Sequence, residues 1–324
     1  MRSRLCAAAA VLCFAILLLT QCNTPPHRSD SARSGNLPNG IALEPVRVEG
    51  LNADFFHRTS AKPQKALILL GGSEGGKSWS EHTAFIQELV DQGFCVLSLA
   101  YFGADDLPSD LRAIPLEYFT KAFRWLSAQK EVVIPNDYAL VGVSRGAELA
   151  LLLGSRYPEV KAVVAIAPSS VVFPGPPTGK LDVLRGQHSA WSLDRHELAF
   201  VPIPYSWTTL RGMITGKRTR MFEKALQDSR HRQAAAIPVE KTQGHILLAS
   251  FTRDQVWPSS LMSEQIMQRL RQSGFRFHSE HAAYNAGHSE WSIEPCRTKI
   301  LTFLRERFLM PAPDPLSTAK EGGH

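Results

Sequence analysis

The most chemically informative stretch of the sequence is the pentapeptide Gly142-Val143-Ser144-Arg145-Gly146. It follows an apolar run over residues 138–141, which predicts a strand, and it precedes a helical pattern over residues 147–157. Glycine at both ends permits a sharp turn, because side chains there would clash with the adjoining strand and helix. The serine would then sit on strained backbone beside the free N–H groups of the helix start. This pattern is typical of a catalytic serine nucleophile, with an ordinary glycine-serine turn as the alternative interpretation.

A serine nucleophile requires a base to accept its proton and an acid to orient that base. A serine on a sharp turn between a strand and a helix is called a nucleophile elbow. In proteins with this elbow, the expected chain order is serine, then an acid, then histidine. Asp254 follows the predicted strand 245–250, and His288 lies between the last predicted strand and the last helix. The other candidates fall in an irregular stretch or within strands; they are Asp182, Asp194, Asp228, His188, His196, His231, His245, His278 and His281. We therefore predict a catalytic triad of Ser144, Asp254 and His288.

Attack by Ser144 creates an oxyanion that needs two N–H donors. One should be the backbone N–H of Arg145, the residue after the nucleophile. The other should come from the glycine-rich loop after the predicted strand 65–70, around Gly72, Ser73 and Glu74. This chemistry needs neither a cofactor nor a metal, and the sequence predicts none.

The same loop also matches the P-loop pattern, Gly71-x-x-x-x-Gly76-Lys77-Ser78, between a strand and a helix. Taken alone, it predicts a nucleotide-binding protein. That hypothesis leaves the elbow, Asp254 and His288 unexplained, and no later strand ends in a convincing Mg²⁺-binding aspartate. Nucleotide binding is therefore the less favoured alternative.

Strands alternate with helices along the chain, which predicts an α/β fold with a mainly parallel sheet covered on both faces. The predicted strands are 65–70, 94–100, 138–141, 162–167, 245–250 and 275–283, and the predicted helices are 79–92, 116–130, 147–157, 261–273 and 295–308. Residues 41–59 are expected to add one or two edge strands. The proline-rich segment 173–238 breaks the pattern, and one helix is predicted in it, over 219–235. We expect it to form a cap-like insertion over the carboxyl ends of the strands, where sites of α/β proteins lie.

The composition is that of a globular protein and limits the partners. The chain has 324 residues, of which 44% are hydrophobic and 20% charged, so one large α/β domain fits. The net charge is +6, and the basic residues are scattered apart from one modest cluster: Arg211, Lys217, Arg218, Arg220 and Lys224. We interpret that cluster as a solvated helix or loop face, so no nucleic-acid partner is predicted.

The N-terminus resembles an export signal. Arg2 and Arg4 precede an uncharged apolar run over residues 5–19, which is short for a membrane span but suits a signal peptide. Thr20, Gln21 and Cys22 follow this run in a pattern similar to a bacterial lipoprotein signal, in which the cysteine is lipidated. Gln21 departs from that pattern, which prefers a small residue immediately before the cysteine. We predict export to the periplasmic side of a bacterial membrane with a lipid anchor on Cys22, or, alternatively, secretion as a soluble protein.

The predicted organisation has four parts. Residues 1–21 form the signal peptide, 22–40 a tether, 41–310 the catalytic domain and 311–324 a mobile tail. Within the catalytic domain, Cys95 and Cys296 are the remaining cysteines. Although an exported protein meets oxidising conditions, we predict two buried free thiols.

Several segments together carry a family resemblance. They are Leu69-Leu70-Gly71-Gly72-Ser73-Glu74-Gly75-Gly76, Leu99-Ala100-Tyr101-Phe102-Gly103, Pro115-Leu116-Glu117-Tyr118-Phe119, the elbow continued as Ala147-Glu148-Leu149-Ala150, Asp254-Gln255-Val256-Trp257-Pro258-Ser259, and Ala286-Gly287-His288. With these segments, residues 65–308 resemble an α/β-hydrolase. More narrowly, they resemble the C-terminal catalytic domain of acyl-CoA thioesterases and bile-acid-CoA:amino-acid N-acyltransferases.

The resemblance implies acyl transfer through a covalent acyl-enzyme, with His288 acting first as base and then as acid while Asp254 holds its tautomer. Ser144 stands where the transferase members use cysteine, which favours hydrolysis. Residues 41–64 leave no room for the N-terminal β-sandwich of the animal proteins, and predicted export would keep acyl-CoA out of reach. We therefore predict an exported serine hydrolase of a carboxylic ester or acyl thioester. The alternative is a catalytically inactive binding lipoprotein on the same scaffold.

Three further residues near the predicted site have open roles. Glu148, one turn beyond Ser144, is interpreted as a charge on the helix surface. Trp191 and Trp257 could line an acyl pocket, although a tryptophan more often belongs to the core.

Overall fold

The computed structural model describes residues 35–37, 40–58, 62–177 and 186–310. The predicted signal peptide, Cys22, Asp182 and the tail 311–324 lie outside these residues. Residues 35–37, assigned to the tether from sequence, form a short strand instead. Within the described ranges, no helix has both the length and the apolar character needed to cross a membrane.

The chain folds around a nine-stranded sheet with a separate small three-stranded sheet. The strands are β1 (Gly35–Leu37), β2 (Ile41–Val46), β3 (Asn52–Arg58), β4 (Gln64–Leu70), β5 (Phe94–Ala100), β6 (Ile114–Pro115), β7 (Val133–Val143), β8 (Val160–Ile166), β9 (Trp191–Leu193), β10 (His196–Glu197), β11 (His245–Phe251) and β12 (Ser279–Tyr284). The large sheet has the order β1-β2-β3-β5-β4-β7-β8-β11-β12, and the small one β10-β9-β6. In the large sheet, the neighbouring strands β5, β4, β7, β8, β11 and β12 pair in parallel. Strands β1, β2 and β3 form an antiparallel edge beside β5. The predicted edge strands in residues 41–59 are therefore β2 and β3.

Helices cover both faces of the large sheet. They are α1 (Thr83–Asp91), α2 (Glu117–Ala128), α3 (Arg145–Arg156), α4 (Trp207–Thr215), α5 (Thr219–Ala225), α6 (Ser229–Ala234), α7 (Ser259–Gln272) and α8 (Glu294–Phe303). Alternate side chains of β4 enter opposite cores: Ile68 packs with α2, α3 and α7, and Leu69 packs with α1 and α8. This two-sided burial explains why the central strands are continuously apolar rather than alternating. The predicted fold, a mainly parallel sheet with helices on both faces, is confirmed.

The segment 173–238 departs from the prediction in its helices. A single helix over 219–235 is wrong: α5 and α6 are separate, and α4 precedes them. Helix α4 begins where the Ser206 side chain accepts from the Thr209 N–H, and Gly216 follows it in the left-handed conformation at φ 72°. Asp228 then starts α6 by accepting from the His231 N–H. These local caps divide the basic, weakly periodic stretch into short helices.

The two cysteines of the domain are buried free thiols, as predicted. Cys95 packs in the core on the α2–α3 side of the sheet, and Cys296 packs in the core on the α1–α8 side. Because the sheet separates them, they cannot form a disulfide with each other. Burial raises the pKa of each thiol to about 12.

We expect Cys95 and Cys296 to resist alkylation by iodoacetamide at pH 8 while the protein is folded. With a pKa of about 12, on the order of one thiol in ten thousand is ionised at that pH, and the thiolate is the nucleophile. Mass spectrometry of the two cysteine peptides checks this, with the same reaction in guanidinium chloride as control. Equal alkylation of Cys95 in native and unfolded protein would contradict it.

Candidate active site

The elbow lies at the carboxyl end of β7, where the strand turns directly into α3. Ser144 has φ 56° and ψ −115°, a strained conformation for a residue with a side chain. A Cβ on Gly142 would lie 2.0 Å from the Gly146 oxygen, and one on Gly146 would lie 2.2 Å from the Leu70 oxygen. Both contacts are with backbone and cannot relax easily. The two glycines of the motif are therefore required by the turn that presents Ser144.

The three predicted triad side chains are in hydrogen-bond contact. His288 Nε2 lies 2.9 Å from Ser144 Oγ, and His288 Nδ1 lies 2.8 Å from Asp254 Oδ2. With the proton on Nδ1, the ring donates to Asp254 and accepts from the Ser144 hydroxyl. Asp254 and His288 are both buried, so the contacts lie largely out of solvent. This arrangement can remove a proton from Ser144 during nucleophilic attack.

Asp254 is fixed by donors from its own loop. Its Oδ1 accepts from the backbone N–H groups of Val256 and Trp257 at 2.9 and 3.1 Å, and its Oδ2 also accepts from Ser259 Oγ at 2.7 Å. The Trp257 ring packs edge-on against His288, with the ring centroids 5.9 Å apart. Loop 254–259 therefore orients the carboxylate and limits the motion of the imidazole.

The glycine-rich loop after β4 lies against the elbow, as predicted, but its donors are distributed differently. The Gly72 N–H donates to Glu74 Oε1 at 2.7 Å, and Ser78 Oγ donates to the same oxygen at 2.7 Å. Glu74 thus braces the loop, and the Gly72 N–H is already engaged. Ser73 lines the same cavity as Ser144 and Arg145. Of the predicted oxyanion donors, the N–H groups of Arg145, Ser73 and Glu74 have no hydrogen-bond partner among the described residues, and Arg145 and Ser73 are the ones that line the cavity.

Tyr101 holds the start of this loop in place. Its hydroxyl donates to the Gly71 carbonyl at 2.6 Å. Burial, together with the nearby Glu74 carboxylate, raises the pKa of the Tyr101 hydroxyl well above its ordinary value. The phenol therefore stays neutral and remains a donor at neutral pH.

The P-loop motif has contacts that do not suit phosphate binding. Lys77 Nζ forms a buried ion pair with Asp54 Oδ1 at 2.8 Å, and Ser78 is held by Glu74. The segment Ser78–Glu81 is a single 3₁₀ turn rather than the first turn of a long α-helix. The lysine and serine that would contact a nucleotide are thus held by carboxylates, which disfavours the nucleotide-binding alternative.

A cavity of about 200 Å³ opens beside Ser144 beneath the cap-like segment. Its lining within the described residues comprises Ser73, Asp110, Leu111, Arg112, Ser144, Arg145, Pro174, Gly175, Pro176, Pro177, Gly186, Gln187, His188, Ile203, Tyr205, Thr209, Met213, Arg218, Met221, Phe222, Val256 and Trp257. Of the two tryptophans considered from sequence, Trp257 lines the cavity, whereas Trp191 is a core residue. The apolar part of this lining can accommodate an acyl group next to the nucleophile.

The interpretation of Glu148 as a surface charge is wrong. It is fully buried, and its carboxylate accepts from Arg145 Nη1 at 2.7 Å and from Trp191 Nε1 at 2.6 Å. Arg145 Nη2 donates in turn to the carbonyls of Phe173 and Pro174 at 3.0 and 2.6 Å. Burial raises the pKa of Glu148, and the Arg145 cation opposes this effect. The pair therefore links the helix that follows the nucleophile to the start of the cap-like segment.

The sequence carries a signal for this buried pair. Glu148 lies in a helix whose other positions from 146 to 154 are glycine, alanine or leucine. A helix that is apolar all round is buried, so a charge within it requires a partner.

Among the described residues, no group of His, Cys, Asp or Glu side chains is arranged to hold a metal ion.

Comparison with known proteins identifies the family. The profile described as BAAT / Acyl-CoA thioester hydrolase C terminal matches residues 114–296, more than half of the chain. The chain belongs to this family. The resemblance of the catalytic domain to this family is confirmed, and the family supports a hydrolase of the acyl-CoA thioesterase or esterase type.

Curated relatives are considerably longer than this chain. The acyl-coenzyme A amino acid N-acyltransferase 2 of Rattus norvegicus is 30% identical over 84% of this chain and 59% of its own length. The mitochondrial acyl-coenzyme A thioesterase 2 of Homo sapiens is 27% identical over 74% of this chain and 45% of its own length. The chain of this family member thus spans roughly half of the relatives it matches.

Solved structures support the fold. An esterase of Pyrococcus furiosus superposes with a TM-score of 0.55 and 16% identity, covering 88% of this chain and all of its own. The acylaminoacyl peptidase of Pyrococcus horikoshii gives a TM-score of 0.54 with 10% identity, covering 85% of this chain and 42% of its own. At these identities the likeness establishes the α/β-hydrolase fold alone.

Proposed function

We propose that this protein is a serine hydrolase that cleaves a carboxylic ester or an acyl thioester through a covalent acyl-enzyme. The observation that carries the proposal is the unbroken hydrogen-bonded relay from Ser144 through His288 to Asp254, with distances of 2.9 and 2.8 Å. Two further features support it. The relay opens into a largely apolar cavity, and Ser73 and Arg145, whose N–H groups have no partner in the described part of the chain, line the same cavity.

The acylation step follows from these contacts. Ser144 Oγ attacks the substrate carbonyl carbon while its proton moves to His288 Nε2, and the electron pair of the C=O bond moves onto oxygen. The N–H groups of Arg145 and Ser73 stabilise that oxyanion. The tetrahedral intermediate then collapses, the bond to the alcohol or thiol breaks, and His288 returns the proton to the leaving group. The acyl group remains on Ser144.

Deacylation reverses the roles with water as the nucleophile. His288 removes a proton from water as the water oxygen attacks the acyl carbon, and the Ser144–acyl bond breaks when the proton is returned to Ser144 Oγ. The buried Asp254 stabilises the transient imidazolium in both halves of the reaction. The products are a carboxylic acid and the alcohol or thiol.

Hydrolysis is favoured over transfer to an amine. The printed names of the relatives include both acyl-CoA thioesterases and amino acid N-acyltransferases. Ser144 stands where the transferases use cysteine, and an oxygen ester of serine is less activated toward amines than a cysteine thioester.

The natural substrate is proposed to be an acyl ester or thioester available outside the cytoplasm, because export with a lipid anchor on Cys22 is part of the proposal.

A fluorophosphonate probe tests the proposal directly. The wild type is expected to gain one phosphonate adduct on the tryptic peptide containing Ser144, and the Ser144→Ala variant is expected to gain none. The labelled protein should lose its hydrolysis of p-nitrophenyl esters and acyl thioesters in proportion to labelling. Equal labelling of both proteins would remove Ser144 as the nucleophile. A folded protein that neither labels nor hydrolyses would favour the alternative, an inactive binding lipoprotein.

A further inference from the structure

The outer face of helix α4 exposes large apolar side chains. Trp207 is 78% exposed and Ile214 is 50% exposed. The two lie about two helical turns apart and therefore share one face. On the opposite face, Thr209 and Gly212 are buried against the rest of the cap-like segment. Helix α4 is thus held by its inner face and presents an apolar outer face to solvent.

Basic side chains surround this apolar face. Arg211 lies one turn after Trp207 on the same side of α4, and Lys217, Arg218, Arg220 and Lys224 follow in the next residues. All five are exposed, and none of their side chains has an ion-pair partner within the described part of the chain. Glu223 is the one acidic residue between 211 and 224. We call this combination, Trp207, Ile214 and the five basic residues, the cap surface.

The helix that carries the cap surface also forms part of the wall of the catalytic cavity. Thr209 and Met213 of α4 line that cavity from the inner side of the helix, and Arg218 lines it from the following turn. A body in contact with the cap surface would therefore contact an element that forms a wall of the catalytic cavity beside Ser144.

The chemistry of the cap surface fits a lipid bilayer with anionic headgroups better than a protein. A stable protein interface buries about 800 Å² on each partner and is depleted of lysine at its core. Two apolar side chains on a nine-residue helix offer much less area. Tryptophan and isoleucine entering the headgroup boundary, with several arginine and lysine side chains beside them, are the features of an interfacial helix on an anionic membrane.

We propose that the cap surface docks reversibly on an anionic lipid bilayer, with Trp207 and Ile214 entering the headgroup region. Docking places a wall of the catalytic cavity against the membrane surface. This contact is separate from the predicted lipid anchor and does not depend on the catalytic relay, so Ser144→Ala protein should dock as well as wild type.

Vesicle binding measures the effect. The full-length protein is mixed with phosphatidylcholine vesicles that contain either no phosphatidylglycerol or about a third of it, and binding is followed by flotation. The double variant Trp207→Ser/Ile214→Ser is expected to bind the anionic vesicles about tenfold more weakly than wild type. Arg211→Glu/Lys217→Glu should lose a similar factor, and wild-type binding should weaken in high salt.

A matched control separates docking from general stickiness and from any N-terminal contribution. Ile134 is 37% exposed near the amino end of β7, the opposite end of that strand from Ser144, so Ile134→Ser should bind like wild type. An N-terminal anchor contributes equally to every variant. Lipids brominated near the headgroup should quench the tryptophan fluorescence of wild type more than that of the Trp207→Phe variant, which lacks the tryptophan of the cap surface. Equal vesicle binding by wild type and both double variants, or equal quenching in the Trp207→Phe protein, would overturn the proposal.

Discussion

Replacing Ser144 by alanine is expected to lower kcat for an ester substrate by about 10⁵- to 10⁶-fold, and adding His288→Ala should cost little more. The reason is that nucleophile and base act as one unit: without the hydroxyl, the imidazole has no proton to remove. Asp254→Asn should lower kcat by about 10⁴-fold, because an amide in place of the carboxylate disfavours the tautomer with the proton on Nδ1. Steady-state kinetics on a p-nitrophenyl ester would provide all four rates.

The design of this experiment needs a control beside the site. Ser289 follows His288 and is exposed, so Ser289→Ala should keep kcat within about twofold of wild type. The residual rate of Ser144→Ala should exceed that of the uncatalysed reaction, because the cavity and the oxyanion donors remain. If Ser144→Ala retained a tenth of the wild-type kcat, or if the losses in the double variant multiplied, the relay would not be the catalytic unit.

The features that sequence could predict are those imposed by local rules. The glycines at 142 and 146 are required by contacts of 2.0 and 2.2 Å with backbone, so the elbow leaves a mark in the sequence. Asp254 and His288 could be found because loops after parallel strands converge at one edge of the sheet. Chain order and strand position therefore identify these two residues without knowledge of any long-range contact.

The features that sequence could not predict depend on partners far apart in the chain or on competition between nearby donors. Glu148 meets Trp191 across 43 positions of sequence, through a small sheet of very short strands with no periodic pattern. The engagement of the Gly72 N–H by Glu74 arises from the exact path of the loop, which the glycines leave open. The short helices of the cap-like segment begin at capping residues such as Asp228, which interrupt a weak helical pattern in the sequence.

The Glu148→Ala variant is expected to lose about 3–5 kcal/mol of the free energy of unfolding. The substitution removes the acceptor of Arg145 Nη1 and Trp191 Nε1, and it leaves the Arg145 cation buried with only carbonyl partners. Urea unfolding followed by circular dichroism measures the loss. Glu264→Ala, on the exposed side of α7, is the matched control and should change the free energy by less than about 0.5 kcal/mol.

A second variant distinguishes the loss of a favourable pair from the creation of an unpaired charge. Burial raises the pKa of Glu148 despite the adjacent cation, which indicates that desolvation offsets much of the attraction between the two charges. Removing both charges, in Arg145→Met/Glu148→Leu, should therefore recover most of the stability lost in Glu148→Ala. If the double variant were as unstable as Glu148→Ala, the pair itself would be the source of stability. If the double variant recovered its stability but had a reduced kcat, the role of the pair would be to position the Arg145 N–H and the cap-like segment relative to Ser144. Arg145 follows Ser144 in the chain, and its side chain donates to two carbonyls of the cap-like segment.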